Sequence, residues 1–310
     1  MSRLRAGIVA AVAAVAAVIA VAGCSSTSTV GEGHLGQEWA VLPTPSVPVP
    51  AVGACTAQPP EAASPLRVTW TMPLAGAPEV ECDEDHVSET LFVGTFPADV
   101  DTDPNTVPTP GTARFRHAYD VCVHEADDFL GRDFHTSRLM VVPVMPTERQ
   151  WAGRARWFRC DVVEVADSQR TVVARRGSLR DALTGSGELA TTCADVTLNA
   201  TRNSVVSFRY KSCDQPHDVE LTGAYMLPDG DYPGRDRAGE RVAVGCQPVS
   251  ARYVGVGVDL LLRAGTQAYT FGTEVTAEAW SAGDRTAACF YGAKDVQRTG
   301  TVRDLRRAPY

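Results

Sequence analysis

Eight cysteines of this 310-residue chain fall into two sets of four with matching surroundings. Cys82-Asp83-Glu84-Asp85-His86-Val87-Ser88-Glu89 aligns with Cys213-Asp214-Gln215-Pro216-His217-Asp218-Val219-Glu220, sharing Cys, Asp, His and Glu at the same offsets. Cys122 is followed by Phe129 and Gly131 at the distances at which Cys246 is followed by Tyr253 and Gly255. Trp151 stands nine residues before Cys160, and Trp280 nine before Cys289. Each set closes on a related pentapeptide, Gly177-Ser178-Leu179-Arg180-Asp181 and Gly300-Thr301-Val302-Arg303-Asp304. Correspondences in one order at near-equal spacings mark an internal repeat, which bounds the fold before any element is assigned. Two homologous domains are expected, over 51–183 and 188–310, joined by Thr184-Gly185-Ser186-Gly187. Each is long enough to bury its own core.

Within each repeat the apolar spacing changes period. Phe115, Ala118, Cys122, Ala126 and Phe129 step by three or four residues, as do Ala238, Val242, Cys246, Val249 and Tyr253. That is the stripe of a helix with a cysteine on its buried face. Val68 to Met72 and Val205 to Tyr210 alternate, and Leu139–Val144 is a β-branched run. Phe158, Cys160 and Val162 share one strand face, as do Ala287, Cys289 and Tyr291. The order strand, strand, helix, strand, strand gives an α+β class: two similar small domains, each a central helix on a mostly antiparallel sheet.

Four cysteines allow three pairings per domain. The helix cysteine faces the sheet and the last cysteine lies on a strand's inward face. This favours Cys55–Cys82, Cys122–Cys160, Cys193–Cys213 and Cys246–Cys289. Disulfides persist only outside the reducing cytosol, and the N-terminus agrees. Arg3 and Arg5 precede an uncharged Ala/Val-rich run over 6–23, the form of a secretory leader. A run of that length could also just span a bilayer. Its end, Val21-Ala22-Gly23-Cys24, resembles the bacterial lipobox, with Val where Leu is commonest. The resemblance implies a signal peptide over 1–23, diacylglycerol transfer to the Cys24 thiol and cleavage before it. The alternative is an ordinary signal peptide with a chance cysteine. Acyl chains hold a protein at a membrane because each buried CH₂ contributes about 0.8 kcal/mol. Residues 24–50, rich in Ser, Thr and Pro, read as a tether that cannot bury a core. The expected location is the outer face of the plasma membrane.

The net charge is -8, and losing Arg3 and Arg5 with the leader would take it to -10. A general nucleic-acid binder needs a basic surface and is excluded. Lys211 and Lys294 are the only lysines, which points to a high-GC bacterial genome, naturally a Gram-positive one.

The second repeat resembles the actinobacterial septum-formation family. The resemblance rests on Cys213-x-x-Pro216-His217-x-x-Glu220, Tyr232-Pro233-Gly234, the mid-helix Cys246, Tyr253-Val254-Gly255, and Trp280-x-x-Gly283-Asp284-Arg285 leading to Cys289. It implies an exported or membrane-tethered envelope protein linked to division septa, and no known catalytic residues. The first repeat departs from the pattern, with Asp85 in place of Pro and Arg154 in place of Asp.

Two readings of the repeated polar groups compete. His217 with Glu220, and His86 with Glu89, could share a proton or bind zinc, with Cys213 or Cys82 completing a set. Oxidation would remove those thiolates. The structural alternative has Asp214 in an Asx-type turn and His217 bonded to loop backbone. His217, Glu220, Asp214, Trp280, His86 and Glu89 are therefore the candidate functional surface. Trp151 and Trp280 could stack on a ligand, but a Trp beside a strand more commonly fills core. Asp99, Asp101 and Asp103 before Pro104 lack the glycine and the terminal glutamate of a calcium-binding EF-hand loop. No nucleophile elbow, zinc-protease helix or P-loop is present in the sequence. The expectation is a non-enzymatic, lipid-anchored protein without cofactor or metal, which binds an envelope or division partner, protein or cell wall. The alternative is a metal-binding or wall-modifying enzyme acting through His217 and Glu220.

Overall fold

The computed structural model describes residues 48–307, apart from 63, 73, 98–104, 186, 202–203 and 264–266. The leader, Cys24, most of the tether and the Asp99–Asp103 run lie outside the described residues. The first half contains β1 (Cys55–Thr56), β2 (Glu79–Val80), β3 (Ser88–Thr95), α1 (Ala113–Leu130), β4 (Leu139–Val144), α2 (Glu148–Ala152) and β5 (Trp157–Glu164). The second contains β6 (Cys193–Leu198), β7 (Val205–Lys211), β8 (Val219–Met226), α3 (Arg235–Val254), α4 (Val258–Leu261), β9 (Ala268–Gly272), α5 (Ala277–Ala282) and β10 (Thr286–Ala293).

The two five-stranded sheets have one topology. The first runs β2-β1-β3-β5-β4 and the second β7-β6-β8-β10-β9, which is the same order when strands are numbered within each half. All neighbours are antiparallel. The α+β class holds. Each half has three strands before its long helix, one more than the apolar patterns predict. The extra strands begin at Cys55 and Cys193, where runs are short or mixed with polar residues.

Each long helix lies on its sheet through the expected stripe. Phe115, Ala118, Cys122, Ala126 and Phe129 are all buried, as are Ala238, Val242 and Cys246. Thr112 caps α1, its side chain accepting from the Phe115 N–H at 3.3 Å. Both helices end on a left-handed glycine, Gly131 at φ 82° and Gly255 at φ 80°. The helix cysteine bonds to the strand next to the sheet edge beneath it, Cys122 to Cys160 of β5 and Cys246 to Cys289 of β10, each with Cα atoms 5.2 Å apart. Cys55–Cys82 and Cys193–Cys213 tie the first strand of each sheet to the turn before the third. These are the four pairs expected from the helix-and-strand argument.

Val68 to Met72 is not a strand. Its alternation is real, because Val68, Trp70 and Met72 are buried. Among the described residues its backbone pairs through an isolated bridge at Arg67–Thr171, with the Val172 N–H to the Leu66 carbonyl at 2.8 Å and the Val68 N–H to the Arg170 carbonyl at 3.0 Å, and not with a sheet. It covers the far face of the first sheet, where Leu66, Val68, Met72 and Leu74 pack on Val142, Val144, Val163 and Val165.

The second sheet's far face carries an aromatic row, Phe208, Phe290 and Phe271, with successive ring centroids 5.0 and 4.9 Å apart. Among the described residues it has no such covering segment of its own half, and the first half takes that place. Tyr210 packs onto the first half's valine cluster. The β7 edge is bonded by Ala166–Ser168, with Tyr210 N–H to the Ala166 carbonyl at 2.8 Å and Ser168 N–H to the Phe208 carbonyl at 3.0 Å. Trp70, Phe115 and Tyr119 meet Ala279 and Ala282 of α5. The described residues of both halves consequently form one compact unit. The first half's core also extends past 183, since Leu189 packs with Leu179 and Leu183.

Replacing Cys246 and Cys289 together by Ala removes a cross-link spanning 43 residues. Guanidinium unfolding is expected to show a loss of about 3–4 kcal/mol. Gly245→Ala is expected to be destabilising as well, because a Cβ there would lie 2.4 Å from the Tyr225 ring.

Candidate functional site

The repeated Cys–His–Glu segment and the closing pentapeptide meet in both halves. In the first, Glu89 accepts hydrogen bonds from the Ser178 hydroxyl and the Leu179 N–H, each at 2.6 Å. In the second, Glu220 accepts from the Thr301 and Tyr253 hydroxyls and, at 2.6 Å, from the Val302 N–H. The preceding glycine donates to the cysteine carbonyl, Gly177 to Cys82 at 2.5 Å and Gly300 to Cys213 at 2.6 Å. The arginine stacks on the helix-end aromatic, Arg180 over Phe129 at 4.3 Å and Arg303 over Tyr253 at 4.5 Å. The aspartate takes a left-handed turn, Asp181 at φ 58° and Asp304 at φ 55°. Its N–H then satisfies a carbonyl left over at the helix end, Phe129 or Tyr253, both at 2.9 Å. Each residue of the pentapeptide thus has a structural partner, and the segment is a strap fastened by a buried carboxylate.

The histidines are fastened too. His86 and His217 pair backbone to backbone with Arg175 and Arg298. Each Nδ1 lies 2.9 Å from the carbonyl two residues before it, Glu84 or Gln215. A carbonyl can only accept, so Nδ1 carries the donated proton. Both Nε2 atoms are buried and without a hydrogen-bond partner among the described residues.

His86, Glu89, His217 and Glu220 are at most 2% exposed, which corrects their assignment to a functional surface. The reason is the strap, which occupies the side from which a ligand would approach. Asp214 does reach solvent, in a turn closed by the Gln215 N–H to the Ser212 carbonyl at 3.3 Å. Trp280 is partly exposed, donates to the Gly230 carbonyl at 3.0 Å and packs near the Cys246–Cys289 pair. Trp151 is core, with Arg156 stacked 4.1 Å from its ring. As a metal set the predicted groups do not fit. The ligand atoms that converge within 4.8 Å are Cys193, Cys213 and Glu220, and likewise Cys55, Cys82 and Glu89, without either histidine. Those sulfurs are spent in disulfides.

The departures of the first half have local reasons. Asp85 forms an exposed ion pair with Arg176 at 2.8 Å, and the second half has Pro216 and Thr299 at those places. The Arg176 guanidinium holds the Asp85 carboxyl below the usual carboxylate range. Arg154 does not stand in for Asp284. Its N–H bonds the Trp151 carbonyl as that of Gly283 bonds Trp280, and it has φ 70° where Gly283 has φ 105°. The counterpart of Asp284 is the buried Ala155.

Asp284 belongs to a cluster that the sequence does not reveal, because its members come from both halves. The Tyr119 hydroxyl bonds it, and the Thr286 N–H donates to it at 2.9 Å. Burial pushes the Asp284 carboxyl up, against that N–H and the nearby charges of His135 and Arg170. Trp70 meets Tyr119 edge-on at 5.3 Å, and Arg170 lies 6.0 Å from the Trp70 ring. These six residues line a cleft of about 1220 Å³ between the halves. Trp70 Nε1 and His135 Nε2 are buried and unbonded among the described residues.

A family model described as "Septum formation" matches residues 66–289. The match runs through both halves rather than the second alone. An uncharacterized membrane protein of Mycobacterium tuberculosis strain H37Rv is 28% identical over 233 residues, covering 70% of this chain and 49% of the relative. Its counterpart in strain CDC 1551 gives the same figures. The chain spans about half the length of the curated relatives it matches. No solved structure is significantly similar. Among the described residues, no helix is long and apolar enough to cross a membrane.

Glu220→Gln and Glu89→Gln are each expected to lower stability by about 1–3 kcal/mol in urea unfolding. Ser178→Thr, which copies the other half, is expected to be neutral. Alkali should also unfold the protein. Burial raises the Tyr119, Tyr210 and Tyr253 hydroxyls, the last helped by the Glu220 charge. The unfolded chain loses these protons first, so stability holds below about pH 10 and falls as pH rises further. Absorbance at 295 nm should show these tyrosines ionising only together with unfolding.

Proposed function

This chain belongs to the septum-formation family, and from that premise we propose that it is a non-enzymatic, lipid-anchored protein of the cell envelope. Its two halves, read as divergent tandem copies, present a rigid surface to an envelope or division partner outside the plasma membrane. The observation that carries this reading is the fate of the repeated polar groups. Glu220 is consumed by Thr301, Val302 and Tyr253, and His217 is fastened to backbone through Nδ1 and fully buried, so neither is offered to a substrate. The shared strand order supports the duplication. Septum formation is the description attached to the family, and the relatives are named membrane proteins. A membrane-surface position for this chain rests on Cys24 and its leader.

Two measurements test the proposal. Cys24→Ser is expected to abolish incorporation of a clickable fatty acid and release the protein from the membrane fraction. Unchanged labelling would remove the lipid anchor from the account. Site-specific crosslinking on intact cells, followed by identification of what is captured, is expected to yield a division or envelope component. Capture of none from any position, together with a uniform distribution over the membrane, would count against the septal role. The alternative enzyme reading is tested by calorimetric titration of the oxidised protein with Zn²⁺. The expectation is no binding heat, and no loss of a wall-hydrolytic activity in His217→Ala beyond a loss of stability.

A further inference from the structure

The outer strands of the two sheets are unequal in a way that bears on partner binding. β4 ends the first sheet and β9 the second. In β9 the ladder to β10 pairs Phe271 with Phe290 and Tyr269 with Gly292, and Lys294 donates to the Gln267 carbonyl at 2.9 Å. In an antiparallel ladder alternate residues turn their N–H and C=O groups inward. Ala268, Thr270 and Gly272 therefore turn theirs outward, and they have no backbone partner among the described residues. The same parity in β4 turns Leu139, Val141 and Pro143 outward. Pro143 has no N–H to offer, and the Leu139 N–H is taken by Ser137 Oγ at 3.1 Å. β4 is thus blunted as natural edge strands usually are, while β9 has no outward proline, lysine or bulge.

The β9 edge also faces a prepared space. Thr270, Phe271 and Gly272 line the cleft between the halves, whose 1220 Å³ exceeds the range of about 300–1,000 Å³ usual for small-molecule sites. Five strand residues extend for roughly 17 Å, a length suited to a short extended peptide. The rim is acidic: Asp236, Glu240, Glu274 and Glu278 line it. Of its arginines, Arg235 is paired with Glu274 at 2.9 Å and Arg138 with Glu164 and Glu188 at 2.9 and 2.8 Å, while Arg170 lies 6.0 Å from the Trp70 ring.

We propose that the β9 edge binds an extended, cationic segment of a partner protein by strand addition. Backbone groups of Ala268, Thr270 and Gly272 supply the hydrogen bonds. The acidic rim selects lysine or arginine side chains on the added strand. The inference rests on the partner-binding reading above and gives that partner a chemistry.

The test uses the full ¹⁵N-labelled chain in detergent micelles and a capped seven-residue peptide alternating lysine and valine. Amide shifts and slowed hydrogen exchange at Ala268, Thr270 and Gly272 are expected, with binding that weakens as salt rises. An alternating glutamate–valine peptide should not bind. Thr270→Pro removes an outward N–H without touching the β10 ladder, and should weaken binding by about tenfold or more. Glu240→Lys, on an exposed helix face, should weaken it several-fold and leaves the strand intact if the proline variant misfolds. The proposal is overturned if the three amides do not respond, or if the glutamate peptide binds equally. If the lysine peptide fails while surface crosslinking still captures a partner, this inference falls and the partner-binding reading stands.

Discussion

Each half of the protein is held closed by a carboxylate taken out of water. An ionised glutamate in a dry interior is costly unless donors surround it. Glu89 and Glu220 each meet a hydroxyl and a backbone N–H from a strap far along the chain. The strap in turn covers the disulfide below and satisfies the carbonyls at the end of the long helix. Without the strap the glutamate would be buried and unpaired, and without the glutamate the strap would lose its anchor. Helix end, third strand and disulfide depend on this one contact.

The halves share that device but not their surroundings. The first sheet is covered on its far face by Leu66, Val68, Met72 and Leu74 of its own half. The second borrows its cover from the first half, through Tyr210 and the Ala166–Ser168 bonds to β7. The second half therefore leans on the first for its core. A single body results, with a cleft at the seam and polar groups such as Asp284 and Tyr119 drawn from both sides.

Much of the fold was legible in the sequence where the signal is periodic or covalent. The helix stripes through Cys122 and Cys246 hold because three-or-four spacing over eighteen or more residues has no strand equivalent. The cysteine pairing follows once helix and strand faces are set. Val68 to Met72 misleads because alternation reports burial on one side, not pairing. Cys193–Leu198 escapes notice because its buried and polar residues do not alternate cleanly. At the candidate site the right residues stand out, but their use does not. Glu220 and Thr301 are 81 positions apart, and no local pattern says that one fastens the other. Tyr119 and Asp284 are farther apart still, and the first half holds only Ala155 where a second aspartate would have made the position conspicuous.

The placing of the straps also sets an order of events for a chain that emerges from its N-terminus. Contacts between distant residues form late, since the intervening chain must first be present. The first half can close once residue 183 has emerged, while the second must wait for Val302 and Arg306. Until then the second sheet can settle against a finished neighbour, which limits the time its aromatic face is open to other chains. A product cut short before Gly300 would be left with an unfastened glutamate and bare helix carbonyls. Such a chain would be open at the strap of its second half, where a protease can distinguish it from one in which both straps are fastened.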